Sequence, residues 1–203
     1  MQQDDFRQHF RIDVPEGYVR DLAVWFRNTQ PGGKLDLCEI GRPHLAVGGK
    51  ISLKVRLEDL SAGGMCVSFL SHASLPVKKL LGRWLFVYFK LAAAHDPFGD
   101  HLTLFLVTEI IGANDWKGKT YLSLRIAANG VPDPFEKSLH LIDAAKYGIA
   151  ELTRWCDEMD RTAVGLAERP QQRGLDLEHL LLEIATHHDE VCVEPAEKAQ
   201  PPA

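Results

Sequence analysis

The residues best suited to recognition chemistry stand in two places. Arg7 and Arg11 lie four positions apart near the start of the chain, and Asp59-x-Ser61-x-x-Gly64 follows a run of alternating apolar and polar residues. Guanidinium groups are planar, permanently charged donors that fork onto an anion and stack on flat rings. A carboxylate and a hydroxyl add acceptors and a rotating donor. Gly64, without a Cβ, lets backbone turn at positive φ or approach a ligand closely, and Gly63 can share that task. Each half also has a plainer explanation. Asp, Ser and Gly are ordinary hairpin-turn residues that bond their own backbone, and two arginines four apart are common on a solvated face. Neither half decides the matter alone.

The charge balance narrows the chemistry. The net charge is −5, and over residues 1–27 the arginines Arg7, Arg11, Arg20 and Arg27 are outnumbered by Asp4, Asp5, Asp13, Glu16 and Asp21. An anion bound there is held by placed arginines, not by a diffuse positive field. DNA and RNA, whose binding draws on a basic surplus, are not expected partners.

The elements that position these residues read mainly as β-structure. Ile51-Ser-Leu53-Lys-Val55-Arg-Leu57-Glu58 alternates without a fault, the period of a half-buried strand. After the Asp59–Gly64 turn, Met65, Val67 and Phe69 resume the alternation, predicting an antiparallel hairpin. Further strands are expected over Arg20–Arg27, with Leu22, Val24 and Phe26 on one face, and over Trp84–Leu91, His101–Ile111 and Lys119–Ile126. Short strands with Gly-containing turns suggest an antiparallel barrel. Two helices are expected to follow. One spans Asp143–Asp160, with Ala145, Gly148, Leu152, Trp155 and Met159 on its stripe; the other spans Leu175–His188, around Leu177, Leu180, Leu181 and Ile184. The tail over 191–203 is rich in Pro and charge and is expected to stay disordered.

Composition is that of an ordinary globular chain of 203 residues, 45% hydrophobic and 25% charged. The first residues contain no apolar run, so no secretory signal is expected, and no stretch has the length of a membrane span. Four scattered cysteines without C-x-x-C spacing argue against a disulfide framework or a structural zinc site. A cytoplasmic location without membrane insertion is the simplest expectation.

In combination, the two motifs carry a resemblance. An arginine pair on an N-terminal arm, a strand, then D-x-S-x-x-G closing a later alternating strand is similar to the arrangement in PilZ domains. Phe10-Arg11-Ile12 resembles the family's arm, and Leu57-Glu-Asp59-Leu-Ser61-Ala-Gly63-Gly64-Met65 resembles its hairpin. The likeness extends over roughly residues 5–160. It implies a six-stranded antiparallel PilZ-like β-barrel with C-terminal α-helices, mainly β overall, and cyclic di-GMP as the ligand. The division it implies is an arm over 1–17, a barrel over 18–140, and helices over 143–190.

Within that resemblance Arg7 and Arg11 hold phosphate and guanine. Asp59 and Ser61 read guanine, the carboxylate accepting from N1–H and N2–H, and Gly64 shapes the turn. Gly63, Trp84 as a stacking surface and Arg125 as a secondary anion contact are further candidates, although Trp84 also reads as core and Arg125 as a solvated residue. Ligand would order the arm, with its few apolar anchors, and so change the surface offered to a protein partner. The family acts in motility, pilus function, biofilm-related exopolysaccharide production and virulence, and the resemblance implies a monomer or a homodimer.

Two departures from the family stand out. Arg11 and Asp59 are far apart, the surplus lying in 28–50, an insert that would either cover the site or form a partner surface. Residue 6 is Phe where many members carry a further basic residue.

An enzyme is not expected, nor any cofactor or metal. H-E-x-x-H, G-x-S-x-G, Walker A and G-x-G-x-x-G are all missing from the sequence. His187 and His188 point to different helix faces, and His95 and His101 with Asp96 and Asp100 make a weak ligand set. Cys66 reads as a packed strand residue. Cys38, nearest His44, is a candidate activated thiol, and nothing in the sequence orients that pair. The main alternative is a PilZ-like protein-interaction module that does not bind the nucleotide.

Overall fold

The computed structural model describes residues 11–47, 54–71, 79–96, 98 and 101–162. Arg7, the helix expected over 175–188 and the tail over 191–203 lie outside the described residues. The chain is mainly β. Its strands are β1 (Ile12–Asp13), β2 (Val19–Arg27), β3 (Lys34–Asp36), β4 (Leu45–Ala46), β5 (Val55–Ser61), β6 (Gly64–Leu70), β7 (Trp84–Ala92), β8 (His101–Trp116), β9 (Lys119–Pro132) and β10 (Ser138–Asp143). Three α-helices, α1 (Leu37–Ile40), α2 (Ala144–Tyr147) and α3 (Ala150–Thr162), and a 3-10 turn over Glu16–Tyr18 complete the described elements.

The strands form one antiparallel sheet in the order β1-β5-β6-β9-β8-β7-β2-β4, with β10 pairing both β9 and β3. The sheet curls because one face of every central strand is apolar. Leu22 and Val24, Leu57 and Leu60, Met65 and Val67, Val87 and Phe89, Leu104 and Leu106, and Leu122 and Leu124 all meet in one core. Helix α3 closes that core with Leu152, Trp155, Cys156 and Met159, and the Trp155 indole donates to the Ala92 carbonyl at 2.8 Å. Among the described residues the two ends of the curl are joined by one isolated parallel bridge, Ala46 with Lys54. The described sheet is therefore a curled antiparallel half-barrel.

Three features differ from the sequence reading. The helix expected over Asp143–Asp160 is divided at Gly148, where φ is +69°. Ala145 and Gly148 are exposed as a result, and Ile149 replaces them on the buried stripe. Second, β8 and β9 run on well past their expected ends, and β10 appears where no strand was expected. Third, the segment over residues 34–40 is built into the molecule. Leu35, Leu37 and Ile40 from β3 and α1, with Leu139 of β10, cover the outer face of β2, β7 and β8. There they pack on Ala23, Trp25, Phe86, Tyr88, Phe105 and Val107 in a second core. This explains why these strands are apolar on both faces. Residues of the Asp59–Gly64 hairpin take no part in that second core.

Candidate functional site

Asp59 is aimed by an irregularity in β5. Leu57 pairs with Val67 and Asp59 with Cys66, so Glu58 is an extra residue, a β-bulge. Unbroken alternation would have put Asp59 on the core side with Leu57. The bulge shifts the phase by one, sending Leu60 into the core at 0% exposure and leaving Asp59 half-buried on the outer face. Glu58 remains tied to the sheet through a hydrogen bond from the Ser68 hydroxyl to its Oε1 and an ion pair with Arg56 at 3.3 Å.

Strand β1 adds to the edge of β5 with Ile12 opposite Leu60 and Asp13 opposite Asp59. This register carries Arg11 to the hairpin, where Nη1 donates to Asp59 Oδ1 at 2.9 Å. The pair is partly exposed, at 28% and 23% of the side chains. Two acids directly opposite each other repel, and the Arg11 guanidinium offsets that charge.

Ser61 is 4% exposed. Its hydroxyl accepts from the Gly64 N–H at 3.1 Å and donates to the Gly64 carbonyl at 2.9 Å, which locks the turn. The Gly63 carbonyl accepts from the Ile126 N–H at 3.0 Å and ties the turn to β9. Gly64 is required by close approach, not by positive φ: a Cβ there would lie 2.6 Å from the Leu124 carbonyl oxygen and 3.7 Å from Arg11 Nη2. The described glycines with positive φ are Gly41, Gly82, Gly118 and Gly148.

Of the secondary candidates, Arg125 lies opposite Gly64 in the β6–β9 ladder, and its side chain is 63% exposed. It is ion-paired with Glu109 of β8. Trp84 is half-buried, packs against the second core and stands opposite Glu109. The structure thus brings Arg11, Asp59, Ser61, Gly63, Gly64 and Arg125 to one stretch of the outer face, with Trp84 two strands beyond Arg125. Glu109 was missed in the sequence. Its signal was a single acid within Leu104-Phe-Leu-Val-Thr-Glu-Ile-Ile111.

The described thiols carry no sign of activation. Burial, then the nearby Asp59 carboxylate, pushes the Cys66 thiol up to about 11. The Asp36 carboxylate, which caps α1 by accepting from Cys38 N at 3.1 Å, raises the Cys38 thiol as well. His44 uses Nδ1 to accept from the Phe26 N–H at 3.2 Å and so is committed to backbone rather than to Cys38. Among the described residues no three His, Cys, Asp or Glu side chains converge as a metal site would need, and no helix is long and apolar enough to cross a membrane.

Comparison of the chain with family models, with curated proteins and with solved structures returns no match.

Proposed function

We propose that the chain is a non-catalytic receptor for cyclic di-GMP, built on a PilZ-like barrel and acting in the cytoplasm through a protein partner. The observation that carries this reading is the meeting of Arg11 with Asp59 beside the Gly64 notch, two strands joined across a separation of 48 residues. A guanidinium there can fork onto a phosphodiester or onto guanine O6 and N7. The adjacent carboxylate accepts from N1–H and N2–H, a pattern adenine does not offer. Ser61 and Gly64 keep the turn narrow enough for both groups to share one ligand. Arg7 would join from the arm, whose ordering over the face changes the surface a partner meets.

The test is calorimetric titration of the full chain with cyclic di-GMP, beside cyclic di-AMP and the Arg11→Ala variant. Loss of one charged hydrogen-bonding arginine should weaken binding by roughly 10- to 150-fold. Absence of binding up to about 100 μM, some −5.5 kcal/mol, sinks the receptor reading. A second reading, a protein-interaction module that ignores the nucleotide, draws on Phe135, which stands 92% exposed between β9 and β10. Undiminished partner capture by a chain that never binds the nucleotide would favour it.

A further inference from the structure

The sheet register sets five residues at one level on its outer face. Trp84 lies opposite Glu109, Glu109 opposite Arg125, Arg125 opposite Gly64, and Gly64 opposite Ser61. Side chains directly opposite in antiparallel strands project from the same face, with Cβ atoms about 4.5–5.5 Å apart. Gly64 projects nothing, and Arg11 Nη2 reaches to 3.7 Å from where its Cβ would stand. Two guanidinium groups therefore flank the same bare glycine, Arg11 from the β1 side and Arg125 from β9. Each is paired with a carboxylate of its own, Asp59 for Arg11 and Glu109 for Arg125. Along the strand order β1-β5-β6-β9-β8 the groups run guanidinium, carboxylate, glycine, guanidinium, carboxylate, with Asp59 two residues before the Ser61–Gly64 level.

Cyclic di-GMP consists of two identical halves, each with one phosphodiester and one guanine. We propose that Arg125 and Glu109 form a second half-site that takes the half of the ligand left over by Arg11 and Asp59. The inference rests on the cyclic di-GMP reading of the hairpin. Arg125 donates to the second phosphate or to guanine O6 and N7. Glu109 positions that guanidinium and also accepts from the second guanine, since each carboxylate oxygen takes more than one hydrogen bond. The Arg125 side chain is 63% exposed and that of Glu109 24%, so the guanidinium can turn toward a ligand without disturbing the core. Gly64 places no side chain between the two guanidinium groups.

The experiment is titration of the full chain with cyclic di-GMP and cyclic di-AMP, comparing wild type with Arg125→Ala, Arg125→Lys and Glu109→Gln. Thermal unfolding of each variant checks that it is folded. Arg125→Ala should weaken cyclic di-GMP binding roughly 10- to 150-fold, and Arg125→Lys should fall between, keeping the charge and losing the fork. Glu109→Gln should narrow the preference for the guanine ligand, because an amide pairs with the donor and acceptor of adenine. If wild type binds cyclic di-GMP while Arg125→Ala stays within about twofold and Glu109→Gln keeps the guanine preference, the half-site is overturned and the receptor stands. If wild type binds neither nucleotide, the receptor reading fails and takes the half-site with it.

Discussion

Arg11 Nη1 stands 2.9 Å from Asp59 Oδ1, and the register that joins them also sets Asp13 opposite Asp59. The contact is partly exposed, so solvent screens it, and pairs of this kind contribute about 0.2–1 kcal/mol to folding. Arg11→Ala should therefore separate two quantities. Unfolding in urea is expected to change by less than about 1 kcal/mol, while affinity for cyclic di-GMP falls by the larger factor expected for a lost charged donor. Equal losses in both would mean that Arg11 is a structural residue only.

Gly64 answers to packing, and its substitution should show in stability. A Cβ 2.6 Å from the Leu124 carbonyl oxygen cannot be relieved by rotating a side chain, because the obstacle is backbone. Gly64→Ala is expected to lose about 1–3 kcal/mol, the cost of forcing atoms into a filled space. Gly32, whose Cβ would meet nothing within 4 Å, is the control; Gly32→Ala should stay within about 0.5 kcal/mol. Denaturant titrations of the two variants make the comparison.

The hairpin around Asp59 shows where the sequence was legible and where it stopped. Alternation located β5 and β6, and Met65, Val67 and Phe69 are buried as their spacing required. It did not disclose the bulge, because one extra residue leaves both flanking patterns intact and changes only their relative phase. The second core was hidden for a related reason: strands buried on both faces, such as Trp84-Leu-Phe-Val-Tyr-Phe89, lose the alternation that would reveal a cover. The β10 strand is a short run, Leu139-His-Leu-Ile142, that blends into the expected helix. The bulge makes its own prediction. Leu60 is a core residue, and Leu60→Ala should cost about 2–5 kcal/mol, as measured by urea unfolding. A cost near zero would mean that Leu60 faces solvent and the phase shift is wrong.

The cover over the second core is pinned by polar contacts to α1. The Trp25 indole, on a fully buried side chain, donates to the Gly41 carbonyl at 2.9 Å. Arg27 Nη2 donates to the carbonyls of Glu39 and Ile40 at 2.9 and 2.6 Å. Trp25→Phe retains an aromatic ring but removes the donor, leaving the carbonyl without that partner. The expected loss is about 1–3 kcal/mol, with faster hydrogen exchange at Leu37–Ile40 than at the β5–β6 hairpin. Uniform acceleration across both would show that the cover does not open separately.

His44 gives this cover a pH dependence. Burial, then the Arg27 guanidinium, holds its imidazole below the usual 6.5, and Nδ1 must be unprotonated to accept from the Phe26 N–H at 3.2 Å. A depressed folded value means that the unfolded chain takes up the proton first. The stabilisation is thus complete above about pH 6.5, declines as pH falls below it, and levels off once the folded imidazole is also protonated. His44→Gln keeps an acceptor for the Phe26 N–H and does not titrate. The stability difference between wild type and His44→Gln should therefore shift against wild type between about pH 7 and about pH 5, read from urea unfolding at each pH. The other histidines and the carboxylates are common to both proteins and cancel in the difference. A difference that stays flat across that range would mean that His44 titrates alike in the folded and unfolded chains and that its Nδ1 does not hold the Phe26 amide.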